Sequence, residues 1–162
     1  MYKLRQCADV GSLDADILRQ EFSTQQNNLS FWKCERIDDG KGLKDTLKAI
    51  LLSTSSIKIS QFVIIDIETL SKFGFVLDYS EEGKTGYKGF EHLHVNLTKL
   101  TYSKIGDVIS AFRTIIHNDK LTPLLRKQDV KEFIAEAYQE DLVNEEKLND
   151  SLLTDIRKLK IK

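Results

Sequence analysis

Asp66 and Glu68 are separated by one residue near the end of Phe62-Val63-Ile64-Ile65-Asp66-Ile67-Glu68-Thr69, a near-continuous β-branched run that reads as a buried strand. On a regular strand the two carboxylates point to one face while Ile65 and Ile67 point to the other. Carboxylates held that way can bind a divalent cation through oxygen, which makes Asp66 and Glu68 candidate ligands for Mg or Mn. His92 and His94 flank Leu93 and share a strand face by the same alternation. Paired imidazoles can serve as general acid and base, or hold zinc if Asp78 or Glu91 supplies a third ligand. A plainer reading stands beside each pair. The acids end a strand or begin a helical turn, and the histidines are solvated or bonded locally on a polar strand face.

The apolar run followed by Asp66, Glu68 and Thr69 resembles the first motif of the DEDD exonucleases over about eight residues. That resemblance implies catalytic magnesium on the two acids. His117-Asn118 is similar to the second motif of the same family, but Leu121 stands where an aspartate is expected. No histidine follows His117, and a tyrosine variant beginning at Tyr138 would need an aspartate where Leu142 stands, so the final signature is incomplete.

Gly83-Lys84-Thr85 imitates the end of a phosphate-binding loop, yet Asp78 occupies the position where that motif needs glycine. The polar stretch from Ser80 to Phe90 therefore reads as a glycine-bearing loop, in which Lys84, Tyr87 and Lys88 are candidate binding residues for an anionic partner. Arg113 and His117 lie one helical turn apart and read as the cationic end of a helix before Asn118. Trp32, the sole tryptophan, reads as core or strand face.

The elements that must position these residues follow from periodicity. Ser12 with Leu13, Ile17, Leu18 and Phe22 predicts a first helix, and Leu29 to Glu35 a strand. Leu43, Leu47, Ile50 and Leu51 place one apolar stripe on a second helix that ends in the serine-rich Ser53 to Ser56. After the run from Phe62, Thr69 to Lys72 predicts a helical turn closed by Gly74, and Phe75 to Tyr79 and Leu93 to Leu97 predict two further strands. From Thr101 the pattern is helical. Ile105, Val108, Ile109, Phe112 and Ile116 form one stripe, Val130, Phe133, Ile134 and Ala137 another, and Leu148, Leu152, Ile156 and Leu159 a third. The expected architecture is an α+β fold, with a small mixed or antiparallel sheet of three to four strands, helices packed on it, and a helical C-terminal region. Residues 1–162 read as one domain, with 1–100 as its α/β portion and 101–162 as a helical portion that is a candidate subdomain.

Composition bounds the function classes. At 162 residues the chain can bury an ordinary core, and 41% hydrophobic with 30% charged residues is the profile of a soluble globular protein. Its 24 basic and 25 acidic side chains leave a net charge of -1, so no global field draws it to nucleic acid or to an anionic membrane. The basic run from Arg157 to Lys162 reads as a solvated helix end. Cys7 and Cys34 form no C-x-x-C spacing, so neither a disulfide framework nor a cysteine zinc site is indicated. The first ten residues lack an apolar leader core and no apolar run spans a bilayer, which leads to a cytoplasmic expectation.

The expected function is a non-catalytic protein-interaction or regulatory module, without cofactor, that meets a protein partner or itself through the glycine-bearing loop or the C-terminal helices. The alternative is a divalent-metal- or histidine-dependent nuclease with Asp66 and Glu68 on Mg or Mn and His92 or His94 as base.

Overall fold

Leu47, Ile50 and Leu51, spaced for one helical face, are all buried on α1 (Lys41–Leu51) in the computed structural model. The structure describes residues 1–4, 22, 24, 27–34, 40–80, 83–117 and 124–158, with only the backbone described for 2–4 and 113–117. The helix predicted after Ser12 lies outside the described residues apart from Phe22, as do Cys7 and Leu159. Serine chemistry ends α1 as its sequence implies. Ser53 Oγ donates to the Ile50 carbonyl at 2.6 Å and Thr54 Oγ1 to that of Leu51 at 2.8 Å, which satisfies acceptors that a helix end leaves open.

The fold is α+β, with a three-stranded antiparallel sheet and five helices among the described residues. The sheet runs in the order β2 (Leu29–Trp32), β5 (His94–Thr98), β4 (Val76–Asp78). Val76 pairs with Thr98, Leu77 with Leu97 and Asp78 with Asn96. A separate antiparallel ribbon joins β1 (Tyr2–Leu4) to β3 (Gln61–Val63), with Lys3 opposite Phe62. The remaining helices are α2 (Ile67–Lys72), α3 (Tyr102–His117), α4 (Lys127–Gln139) and α5 (Asp150–Lys158).

The chain forms two compact units, each drawn from three segments. Unit 1 takes residues 1–31, 60–80 and 95–124. Its core gathers Leu29, Val63, Leu70, Leu97 and Val108 around Phe112, whose ring meets those of Phe22 and Phe31 edge-on at 4.7 and 6.2 Å. Unit 2 takes residues 32–59, 81–94 and 125–162. There α1, α4 and α5 supply Leu47, Ile50, Ile134, Leu152 and Ile156, all buried.

Two local expectations are corrected. The run from Phe62 to Thr69 is not one strand, because β3 ends at Val63 and α2 begins at Ile67. The backbone bonding marks the change, since the Leu70 N–H donates to the Asp66 carbonyl four residues back at 3.2 Å and the helical turn carries Leu70, 4% exposed, into the unit 1 core. The end of α2 is the glycine-closed turn anticipated from Gly74. The Phe75 N–H donates to the Leu70 carbonyl at 3.3 Å and the Gly74 N–H to that of Ser71 at 2.9 Å, with Gly74 at φ 68. Likewise, Glu91–Leu93 is a 3₁₀ turn and β5 starts only at His94, so His92 and His94 do not alternate along one strand.

Candidate functional site

Asp66 takes the N-cap position of α2 with extended backbone, and Glu68 sits in the first turn, where the helix dipole favours negative charge. Both side chains are exposed, and both belong to unit 1. His92 and His94 belong to unit 2. His92 is exposed, with its ring 6.5 Å from that of Phe90. The His94 ring is half-buried and packs edge-on against Trp32 at 5.3 Å.

The supporting ligands proposed from sequence are engaged elsewhere. Asp78 Oδ1 accepts the Ser80 N–H at 2.8 Å, and hydrogen bonds from Ser80 hold this carboxyl below the ordinary range. Glu91 accepts from Lys147 Nζ at 2.7 Å, the bond that holds its own carboxyl low. Among the described residues, no three His, Cys, Asp or Glu side chains gather as a set able to hold a metal ion. Titration with millimolar Mg²⁺, Mn²⁺ or Zn²⁺ is accordingly expected to leave the melting temperature unchanged, and Asp66→Asn to alter stability by no more than about 0.5 kcal/mol. A metal-dependent rise that Asp66→Asn removes would instead assign a cation site to this acid.

The glycine-bearing loop is not the open arm its composition suggests. Gly83 faces the Trp32 ring, and its N–H donates to the Glu91 carbonyl at 2.9 Å. Thr85 is fully buried, and its hydroxyl donates to the Ala49 carbonyl at 2.6 Å, capping backbone near the end of α1. The Gly86 N–H donates to the Leu52 carbonyl at 3.2 Å, and the Gly86 carbonyl accepts from the Asn144 N–H at 2.8 Å. Tyr87, a candidate binding residue by sequence, is 0% exposed and bridges to Val143. Its burial follows from the strand-like bonding of this segment, which turns alternate side chains inward and leaves Lys84 and Lys88 outside. Lys88 Nζ donates to the Asp141 carbonyl at 3.0 Å, and Lys84 is exposed.

Tyr87 leads to a polar cluster that residue types and their spacing did not single out. Its phenol lies 3.0 Å from Asp45 Oδ1 and 3.2 Å from Glu140 Oε2, and its ring stacks on Phe90 at 4.4 Å. Lys48, on the buried side of α1 at 3% exposure, donates to both oxygens of Glu140 at 2.8 and 2.7 Å and lies 3.5 Å from Glu136. Its Nζ also sits 5.9 Å from the centre of the Tyr87 ring. The bond from Lys48 is the main cause that holds the Glu140 carboxyl below the usual range. Burial first, then Asp45 and Glu140, push the Tyr87 phenol far above its ordinary value, so it remains a protonated donor. The signal was present in α1. Lys48 precedes Leu51 and Leu52 by three and four residues, so it shares their buried face.

Such a cluster joins α1, the 83–90 segment and α4 through hydrogen bonds that are already made. Among the described residues no buried side-chain nitrogen or oxygen lacks a partner. A second, outer group repeats the pattern. Tyr138 Oη donates to Glu145 at 3.1 Å, and burial with the Glu145 charge pushes this phenol up to about 12.

Among the described residues no helix is long and apolar enough to cross a membrane. Comparison of the chain with protein-family models, with curated proteins and with solved structures returns no match.

Proposed function

We propose that the chain is a non-catalytic module that binds a protein partner by accepting an extended segment of that partner along β4. The observation that carries this reading is the edge position of β4, combined with the distribution of exposed apolar side chains. Among the described residues β4 pairs only with β5, which makes it an edge strand, the position in a sheet at which a further strand adds. Of the six large apolar side chains exposed among the described residues, Ile67, Val76, Tyr79, Tyr102 and Leu124 are in unit 1, and Ile59 alone is in unit 2. Val76 and Tyr79 lie on and just after β4, and Ile67 opens the helix that leads into it. Tyr102 opens α3, whose Lys104 reaches back to the Phe73 carbonyl at 3.3 Å and over the Phe75 ring at 5.8 Å. Apolar groups around an open strand edge are the features that strand addition uses, with main-chain bonds supplying affinity and side chains selecting the partner.

Immobilised full-length protein is expected to retain a partner in stoichiometric amount. The double substitution Val76→Lys with Tyr79→Ala should weaken that retention about tenfold or more while leaving the melting temperature in place. Failure to recover any partner, heterologous or a second copy, would overturn the reading, as would equal retention by the double variant.

A further inference from the structure

Glu140 receives three of the bonds that close unit 2. Lys48 Nζ donates to its two oxygens at 2.8 and 2.7 Å, and Tyr87 Oη lies 3.2 Å from Oε2. We propose that this cluster is an acid-sensitive clasp, in which protonation of Glu140 frees residues 85–88 and the end of α4 from α1 while the rest of unit 2 stays folded.

The charges around the clasp make the release one-directional. On α1 these are Lys41, Asp45 and Lys48, on the 83–90 segment Tyr87, and on α4 Glu136 beside Glu140. Lys88 and Asp141 form a more exposed pair 3.5 Å apart nearby. Lys48 is 3% exposed, whereas Glu136 and Glu140 are 43% and 46% exposed, so acid reaches the carboxylates while the ammonium cannot turn to water without the helices parting. The Glu140 carboxyl is held below its ordinary value of 4.5, chiefly by the Lys48 bond. A depressed carboxylate contributes its full stabilisation above that ordinary value and loses it as the pH falls through the depressed one, so the clasp is closed at neutral pH and opens in acid. Toward α1 the 85–88 segment is held by the Gly86 N–H on the Leu52 carbonyl at 3.2 Å and the Thr85 hydroxyl on the Ala49 carbonyl at 2.6 Å, while Lys88 to Leu142 and Asn144 to Gly86 join it to the α4–α5 connection.

Amide hydrogen exchange on the full chain, corrected for the intrinsic effect of pH, tests this. Protection of the Gly86, Lys88, Leu142 and Asn144 amides should fall about tenfold or more as the pH drops below the carboxylate range, with α5 and the Leu47 to Leu51 amides unaffected. Lys48→Met, which keeps the length of the side chain and removes the charge, should abolish the acid step. Glu140→Gln should show the same loss already at neutral pH, and adding Lys48→Met to it should restore protection. An acid step that persists in Lys48→Met overturns the clasp. So does unchanged protection in Glu140→Gln at neutral pH, or simultaneous loss of protection throughout unit 2.

Discussion

Replacement of Tyr87 by alanine is expected to lower the unfolding free energy by about 3–5 kcal/mol, the usual cost of emptying a fully buried aromatic site. The side chain is 0% exposed, stacks on Phe90 at 4.4 Å and anchors a segment bonded to both α1 and the α4–α5 connection. For a chain of this size that loss corresponds to a fall in melting temperature of roughly 10 °C. Tyr87→Phe separates the ring from its hydroxyl. It keeps the packing and removes only bonds to Asp45 and Glu140, so its cost should be about 1 kcal/mol, since both carboxylates reach solvent. Urea denaturation of the three proteins distinguishes these values. Similar small losses for both variants would show that the ring is not a packing element.

Gly83→Ala should cost about 3 kcal/mol, which is large for the addition of one methyl group. A Cβ at this position would lie 2.5 Å from Trp32 Cη2 and 2.7 Å from His94 Cβ. The indole is 6% exposed, and a Cβ atom cannot rotate away from its own backbone, so strand or loop must move. Trp32 is the only tryptophan, so its fluorescence reports displacement at the contact itself, alongside the denaturation midpoint. Gly106→Ala is the matched control. Nothing lies within 4 Å of a Cβ there, and in the interior of α3 alanine should stabilise by roughly 0.5–1 kcal/mol. If Gly83→Ala proved as benign as the control, the close packing of the loop on Trp32 would be refuted.

The helices were the most legible part of this chain, because a buried face writes a period of 3.6 into a long segment. The stripes of α1, α3 and α4 are each found on helices, as are Leu152 and Ile156 of the last, while Leu148 precedes α5; Val108, Ile134 and Leu152 are buried as their spacing requires. Strands of three to five residues carry a weaker signal. The run Phe62 to Thr69 satisfies both a strand pattern and a strand followed by a helix, and the helical bond from the Leu70 N–H to the Asp66 carbonyl separates the two. His92-Leu93-His94 failed for the same reason, since three residues of alternation cannot distinguish a strand from a 3₁₀ turn entering one. The 83–90 segment misled through composition. Glycine, lysine and threonine usually mark an open loop, but here Gly83 makes room for an indole and Thr85 caps a helix carbonyl, roles set by neighbours distant in sequence.

What the sequence determined by itself is what short-range physics can write: an α+β class, the apolar faces of α1, α3 and α4, a serine-rich end to α1 and the glycine-closed end of α2. The tertiary structure alone decided which polar residues converge. Lys48 and Glu140, 92 positions apart, meet at 2.7 Å within unit 2. No local propensity encodes that pairing. A lysine between apolar neighbours on α1 needs a counter-charge once the helix is buried, and which carboxylate supplies it depends on how α1 and α4 pack.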